Sequence, residues 1–96
     1  SNCNPGSSYT TSMAFCVATA VLQMRLTVAE AVWAATRGAA VTVGRETGAD
    51  AVGSLQVGGR ADLQVLDAPS IAHLAYRPGV PLVRDVWRAG ISNPAR

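Results

Sequence analysis

Apolar residues form an almost unbroken block near the start of the chain. Nearly every position from Met13 to Met24 is apolar. The block follows Thr10, Thr11 and Ser12, and each of these is a suitable N-cap. This pattern predicts a helix that is apolar almost all round and is therefore buried on most sides.

A second helix is predicted to start at a capping box. Thr27 and Glu30 are three positions apart, so the hydroxyl can accept from the Glu30 amide while the carboxylate reaches back. The expected buried stripe, with Trp33 at its border, consists of Val28, Ala31, Val32 and Ala35. Gly38 should break or bend this helix, and residues 39–43 should continue it as a third piece that Gly44 ends.

The second half of the chain changes to short segments with β-strand character. Leu55 and Val57 alternate with polar neighbours, residues 63–66 form a β-prone run, and Gly58-Gly59 between them permits a tight reversal. This pattern predicts a strand, turn and strand across residues 53–67. A helical turn at residues 71–75 and a strand over residues 82–91 are expected to follow. The predicted fold class is α+β, with two to three helices followed by short strands.

Composition limits the size of the core. The 96 residues allow one domain at most, yet 49% of them are hydrophobic and only 15% are charged. This is more apolar surface than so small a globule hides comfortably, so the chain is expected to pack against something larger. With no initiator Met and a motif at its first residues, it is predicted to be an excised fragment.

Charge and cysteine content exclude several classes of function. The net charge of +2 is carried by scattered arginines without any lysine, which argues against nucleic-acid binding. Cys3 and Cys16 have neither the spacing of a metal knuckle nor the density of a disulfide scaffold, which favours a reduced, cytoplasmic setting. The apolar block is too short to span a bilayer, and no targeting segment is expected.

The opening loop is the strongest candidate for chemistry. Asn4-Pro5-Gly6-Ser7 offers an amide side chain, a rigid turn, a backbone N–H and a hydroxyl, and this set is suited to a carboxylate or a planar amide. An ordinary loop at the entry to a helix remains the alternative.

The other polar and aromatic residues are expected to be structural. His73 has no second ligand at metal spacing and is assigned a surface or packing role. Asp62 should hydrogen-bond the backbone of the Gly-Gly-Arg turn. Trp33 and Trp87 should be core or interface aromatics, and Cys16 an inert small hydrophobe.

Two sequence strings resemble a known enzyme family. G-S-L-x-V-G-G-R-A-D-L-x-V-L-D is similar to the segment with which metal-dependent amidohydrolases leave a catalytic barrel and enter a small β-domain. S-N-C-N-P-G-S-S-Y-T-T-S-M, followed by the apolar helix and by L-T-x-x-E-A-x-x-A-A-T, resembles the C-terminal part of the imidazolonepropionases within that superfamily. The resemblance implies a (β/α)8 parent, with residues 1–44 at the end of the barrel and residues 45–96 in the small β-domain.

The same resemblance implies site residues. The loop would follow the eighth barrel strand at the active-site face. Asn4 and Gly6 would contact substrate or product, and Ser7 would contact the imidazolone. Asn2 occupies the position of the family's metal-binding acid, where a neutral amide is a poor replacement. Either the metal site is altered, or Ser1-Asn2 is a remnant of cloning or another artificial change.

The implied parent reaction opens the ring C–N bond of 4-imidazolone-5-propanoate to give N-formimidoyl-L-glutamate in histidine degradation, with zinc or iron as the metal. The chain alone is expected to bind no metal, to be inactive and to self-associate through residues 13–24. Two alternatives remain: a fragment of another amidohydrolase, such as a deaminase or a hydantoinase-like hydrolase, and a small non-catalytic interaction module.

Overall fold

A computed structural model describes residues 1–94 of the chain. Three helices and a π-helical turn precede the first strand, a fourth short helix follows it, and the fold class is α+β, as predicted. The elements are α1 (Met13–Leu22), α2 (Val28–Trp33), a π-helical turn (Ala34–Gly38), α3 (Ala39–Thr42), β1 (Leu63–Leu66), α4 (His73–Tyr76), β2 (Val83–Arg88) and β3 (Ile91–Pro94).

The first helix begins where the sequence indicates and ends two residues early. The Ser12 hydroxyl accepts from the Phe15 amide at 3.2 Å, which selects Ser12 among the three candidate N-caps. After Leu22 the chain reverses at Arg25, whose φ is 63°, and the Leu26 amide donates to the Ala20 carbonyl at 3.1 Å. This left-handed reversal closes the helix end and prevents its extension to Met24.

The capping box predicted for α2 is confirmed. The Thr27 amide donates to the Glu30 carboxylate at 2.8 Å, and the Glu30 amide donates to the Thr27 hydroxyl at 3.2 Å. Of the predicted stripe, Ala31 is buried and the other members are half-buried. Gly38 does not end the helix, because the π-helical turn carries the chain directly into α3.

Two of the strand predictions need correction. Residues 63–66 form β1 as expected, but Leu55 and Val57 form no strand and are largely exposed. The antiparallel partner of β1 is the distant segment β2, with Leu63 opposite Trp87, and β1 is an outer strand of the sheet. The Gly58-Gly59 turn does form, because the Gly59 amide donates to the Gln56 carbonyl at 3.0 Å.

The predicted strand over residues 82–91 is in fact two strands. Ala89 and Gly90 have φ values of 49° and 80°, the signature of a two-residue type I′ turn, and β3 pairs antiparallel with β2 beyond it. The sheet order is β1-β2-β3. Ala89 hides this turn in the sequence, since Asn or Asp is the usual residue at that position.

The core is small and lies between the helices and at one end of the sheet. Its buried apolar residues among those described are Val17, Ala18, Ala31, Ala40, Ala75 and Leu82. The expectation that α1 is buried on most sides is wrong for this chain. Helix α1 packs chiefly on α4 and α2, and Phe15 and Leu22 remain 54% and 55% exposed.

Candidate functional site

The opening loop is a closed hydrogen-bonded turn on the surface. The backbone amide of Asn4 donates to the Ser8 carbonyl at 3.0 Å, and the Ser8 amide donates to the backbone carbonyl of Asn4 at 3.3 Å. This pair of bonds fixes the two ends of a reversal that contains Pro5, Gly6 and Ser7. The last three residues are exposed, whereas Asn4 is half-buried.

The side chain of Asn4 organises the interior of that turn. Its Oδ1 accepts from the backbone amides of Gly6 and Ser7 at 2.9 Å each. Its Nδ2 donates to the Asn2 carbonyl at 2.8 Å and to the Ser7 hydroxyl at 2.9 Å. The structure therefore brings Asn4, Gly6 and Ser7 together, but it directs the two amide N–H groups at Asn4 instead of leaving them open to a ligand.

A relay of hydrogen bonds ties the loop to α1. The Thr10 amide donates to the Ser8 carbonyl at 2.9 Å, and the Ser12 amide donates to the Thr10 hydroxyl at 3.1 Å. Because Ser12 also caps α1, the position of the loop is set by the start of that helix. The sequence signal for these bonds is the run of serine and threonine residues, because each hydroxyl can hydrogen-bond a nearby backbone group.

Asn2 lies at the outer edge of the loop. It is exposed, and its φ of 51° is in the left-handed region that asparagine tolerates better than most residues. Its backbone carbonyl accepts a hydrogen bond from Asn4 Nδ2.

Comparison with known proteins finds relatives that match nearly the whole chain. The chain is 69% identical over 96 residues to an imidazolonepropionase of Saccharopolyspora erythraea, a match covering 100% of this chain and 25% of that protein. It is 67% identical over 95 residues to an imidazolonepropionase of Paenarthrobacter aurescens, covering 94% of this chain and 23% of the relative. The corresponding match in Rhodococcus jostii is 62% identical over 89 residues, covering 93% of this chain and 21% of the relative.

The chain belongs to the imidazolonepropionase family. It spans about a quarter of the length of the curated relatives it matches. No family model matches the chain, and neither does any solved structure.

The metal that the family resemblance implies does not find a site in this part of the protein. Residues 1–94 contain no group of three His, Cys, Asp or Glu side chains placed to hold an ion. Asn2 supplies at most one neutral amide oxygen, and a divalent ion with a single such ligand is not retained. The described residues of this imidazolonepropionase chain therefore do not fit a metal on their own.

The structure gives a packing contact for His73 and leaves both tryptophans partly exposed. The imidazole of His73 packs edge-on against Tyr76, with ring centroids 5.7 Å apart, which matches the expected packing role. Its Nδ1 is buried without a hydrogen-bond partner among the described residues. Trp33 is 58% exposed and Trp87 is 37% exposed, so neither is a fully buried core aromatic within this chain.

Asp62 bonds a backbone turn, but not the one expected. Its Oδ1 accepts from the Ala89 amide at 2.7 Å, and its Oδ2 accepts from the Arg60 guanidinium at 2.8 Å. The backbone it caps is thus the β2–β3 turn, 27 positions away in sequence. The hydrogen bond from the Ala89 amide, and after it the hydrogen bond and the charge of Arg60, lower the pKa of the Asp62 carboxyl.

An apolar groove runs along α1. Its volume is about 310 Å³, and it is lined by Phe15, Ala18, Thr19, Leu22, Gln23 and Pro78. In the part of the chain that the structure covers, no helix has the length and hydropathy required to cross a membrane. The exposed side of α1, which carries Phe15 and Leu22, borders the groove.

Proposed function

We propose that this chain is the C-terminal part of a cytoplasmic imidazolonepropionase. The parent enzyme would add water across the ring C–N bond of 4-imidazolone-5-propanoate and release N-formimidoyl-L-glutamate in histidine degradation. The observation that carries the proposal is the 69% identity to an imidazolonepropionase over every residue of the chain.

The order of elements supports a division of the chain between two parts of the parent. The helices from Met13 to Thr42 fall in the first segment, residues 1–44, proposed as the end of the catalytic barrel. All three strands fall in the second segment, residues 45–96, proposed as part of a small β-domain. A barrel helix must cover strands, and α1 has an apolar side that the described chain leaves uncovered.

The opening loop is proposed to orient the substrate. Gly6 and Ser7 lie at its exposed tip, where no side chain of residue 6 obstructs a ligand's approach to the backbone. Asn4 holds that tip in one conformation through bonds to both residues. The ligand would then meet a rigid polar edge and lose little free energy to ordering it.

The metal of the parent, proposed as zinc or iron, would be held mainly by residues outside this chain, with position 2 as the one metal-binding position that the resemblance places within it. Position 2 is where the family carries an acid, and the neutral Asn2 cannot accept a proton as a carboxylate does. We therefore expect the parent reaction to be slow with Asn2 and faster with an acid in its place.

A chimera tests the proposal. The matched quarter of the Saccharopolyspora erythraea imidazolonepropionase is replaced by this chain, once unchanged and once with Asn2→Asp, and hydrolysis is followed by mass spectrometry as the gain of one water. The Asn2→Asp chimera should turn over at least about tenfold faster than the unchanged one, because the acid restores proton transfer. The isolated 96-residue chain should give no turnover with or without added zinc.

Two results would contradict the proposal. One is a folded Asn2→Asp chimera that neither binds nor hydrolyses 4-imidazolone-5-propanoate. The other is turnover by the isolated chain, since that would place a complete site within it. Hydrolysis of a different cyclic amide by the folded chimera would instead assign the chain to another amidohydrolase.

A further inference from the structure

Hydrogen bonds inside the opening loop make residues 2–8 one rigid unit. The Asn4 side chain bonds the Asn2 carbonyl at 2.8 Å and two backbone amides of the turn at 2.9 Å each. The backbone pair between Asn4 and Ser8 closes the same turn. The freedom that remains to the loop is therefore movement of the whole unit relative to α1.

Thr10 connects this unit to α1. Its backbone amide donates to the Ser8 carbonyl at 2.9 Å, and its hydroxyl accepts from the Ser12 amide at 3.1 Å. Ser12 in turn caps α1, since its own hydroxyl accepts from the Phe15 amide at 3.2 Å. The backbone thus makes one bond of the connection, and the Thr10 side chain makes the other.

The segment between the loop and α1 has little else to hold it. Tyr9 is 87% exposed, Thr11 is exposed, and within residues 1–94 neither of them makes a hydrogen bond. The Ser1 amino group contacts Met13 Sδ at 3.4 Å, but sulfur is a weak acceptor, and in a chimera residue 1 has no free amino group. The bond between the hydroxyl of residue 10 and the amide of residue 12 is therefore the main side-chain link between loop and helix in the described chain.

We propose that Thr10 is a positioning residue for the parent reaction, because its hydroxyl fixes the angle between the loop and α1. The inference rests on the proposed function, which puts the loop at the active site. Thr10 itself contacts no ligand and acts through the loop. A misplacement of about 1 Å can slow an enzymatic reaction about a hundredfold, so one hydroxyl outside the site is enough to change the rate.

Thr10→Val removes the hydroxyl and keeps the branched shape of the side chain. The backbone amide of residue 10 can still donate to Ser8, but the Ser12 amide loses its acceptor. The loop is then able to turn about residues 9–11 without breaking its internal bonds. In the Asn2→Asp chimera we expect kcat/KM to fall about tenfold, through a lower kcat and a higher KM, because position 2 moves together with the loop tip.

Two variants show whether the hydroxyl of residue 10 is the cause. Thr10→Ser keeps that hydroxyl, so its kcat/KM should stay within about threefold of the starting chimera. Thr11→Val is the matched control, because it makes the same chemical change one position later, at an exposed residue. It should leave kcat/KM within about twofold.

Ser12→Ala separates stability from positioning. It removes the hydroxyl that caps α1, but it keeps the backbone amide that donates to Thr10. Its Tm should fall by a few degrees while kcat/KM stays within about twofold. Thr10→Val should show the smaller loss of Tm and the larger loss of kcat/KM. Of these four variants, Thr10→Val should raise the dissociation constant for N-formimidoyl-L-glutamate the most, which gives a readout that does not need turnover.

The outcomes distinguish this inference from the proposed function. An active chimera whose kcat/KM is unchanged by Thr10→Val would overturn the positioning role and leave the function intact. Equal losses of kcat/KM in Thr10→Val and Thr10→Ser, or in Thr10→Val and Ser12→Ala, would do the same. A folded chimera with neither binding nor hydrolysis would overturn the function, and the inference with it.

Discussion

Helices α1 and α2 lie next to each other in the sequence, and they differ in what completes them. In α2 the capping box closes the first turn with bonds of 2.8 and 3.2 Å, and the small side chain of Ala31 is buried within the chain. In α1 the cap is also local, but Phe15 and Leu22 remain more than half exposed. Helix ends are thus completed by residues a few positions away, whereas an apolar face needs a partner surface.

The largest expected effect lies on the exposed side of α1. We expect the isolated chain to self-associate there, because exposed apolar area contributes about 25 cal/mol per Å² when buried. The double variant Phe15→Glu/Leu22→Glu should weaken association at least about tenfold, measured by sedimentation equilibrium over a wide concentration range.

Leu55→Glu is the control for that experiment, since Leu55 is 73% exposed but belongs neither to α1 nor to the lining of its groove. It should change the association constant far less than the double variant does. A well-folded monomer at all concentrations would contradict the claim that α1 needs a partner surface. Equal effects of Phe15→Glu/Leu22→Glu and Leu55→Glu on association would contradict it as well.

Gly53 tests the contact between the segment after the helices and the helical region itself. Its φ is 87°, and an added Cβ would lie 2.8 Å from the Thr36 carbonyl oxygen and 3.1 Å from the Arg37 Cα. Gly53→Ala should lower the free energy of unfolding by about 3 kcal/mol, through backbone strain and a clash with backbone atoms.

Gly58→Ala isolates the strain from the clash. Gly58 has a similar φ of 81°, but nothing lies within 4 Å of its added Cβ. We expect a loss of about 1 kcal/mol in urea denaturation. Equal losses at Gly53 and Gly58 would show that the contact with the helical region contributes nothing.

Asp62 tests the long-range closure of the sheet. Asp62→Ala removes the acceptor of the Ala89 amide and should lower Tm by a few degrees. Asp50→Ala, which removes a 3.7 Å contact of an 82% exposed carboxylate with Arg60, should leave Tm nearly unchanged. A similar Tm for the two variants would argue that the hydrogen bond to the β2–β3 turn has no stabilising role.

Glu30 gives the smallest expected effect and tests the local side of the comparison. Hydrogen bonds from the Thr27 amide and hydroxyl lower the pKa of the Glu30 carboxyl. A depressed folded pKa adds stability that is complete above the unfolded value and is lost as pH falls through the folded one. Glu30→Gln should flatten the acid-side fall of Tm between about pH 5 and pH 3, and an unchanged pH profile would contradict the capping role.

Local chemistry explains which features were readable from the sequence. Residues close together in the sequence determine the capping box and the helix end at Gly44. One strongly β-prone run determines the β1 segment. The pairing of β1 with β2 depends on residues about twenty positions apart, and the β2–β3 turn carries Ala89 in place of a usual turn residue. Those two features left no signal in the pattern of apolar and polar positions.

The candidate site shows the same limit. The sequence indicated Asn4, Gly6 and Ser7 as one polar loop, and the structure places them together. The sequence did not indicate that the Asn4 side chain would make its hydrogen bonds within the loop, although asparagine commonly bonds backbone groups two or three residues ahead. The choice between bonding a ligand and bonding the loop depends on the conformation of the Pro5-Gly6 reversal.

The most direct test of the central claim, that the opening loop lies at an imidazolonepropionase active site, uses the exposed thiol of Cys3. The rate of Cys3 alkylation in the Asn2→Asp chimera is measured by peptide mass spectrometry with and without N-formimidoyl-L-glutamate. We expect saturating ligand to slow alkylation of Cys3 several-fold in the folded chimera. In the same chimera unfolded in denaturant, the ligand should leave the rate of Cys3 alkylation unchanged. An unchanged Cys3 rate in a chimera that binds the ligand would show that the loop lies elsewhere.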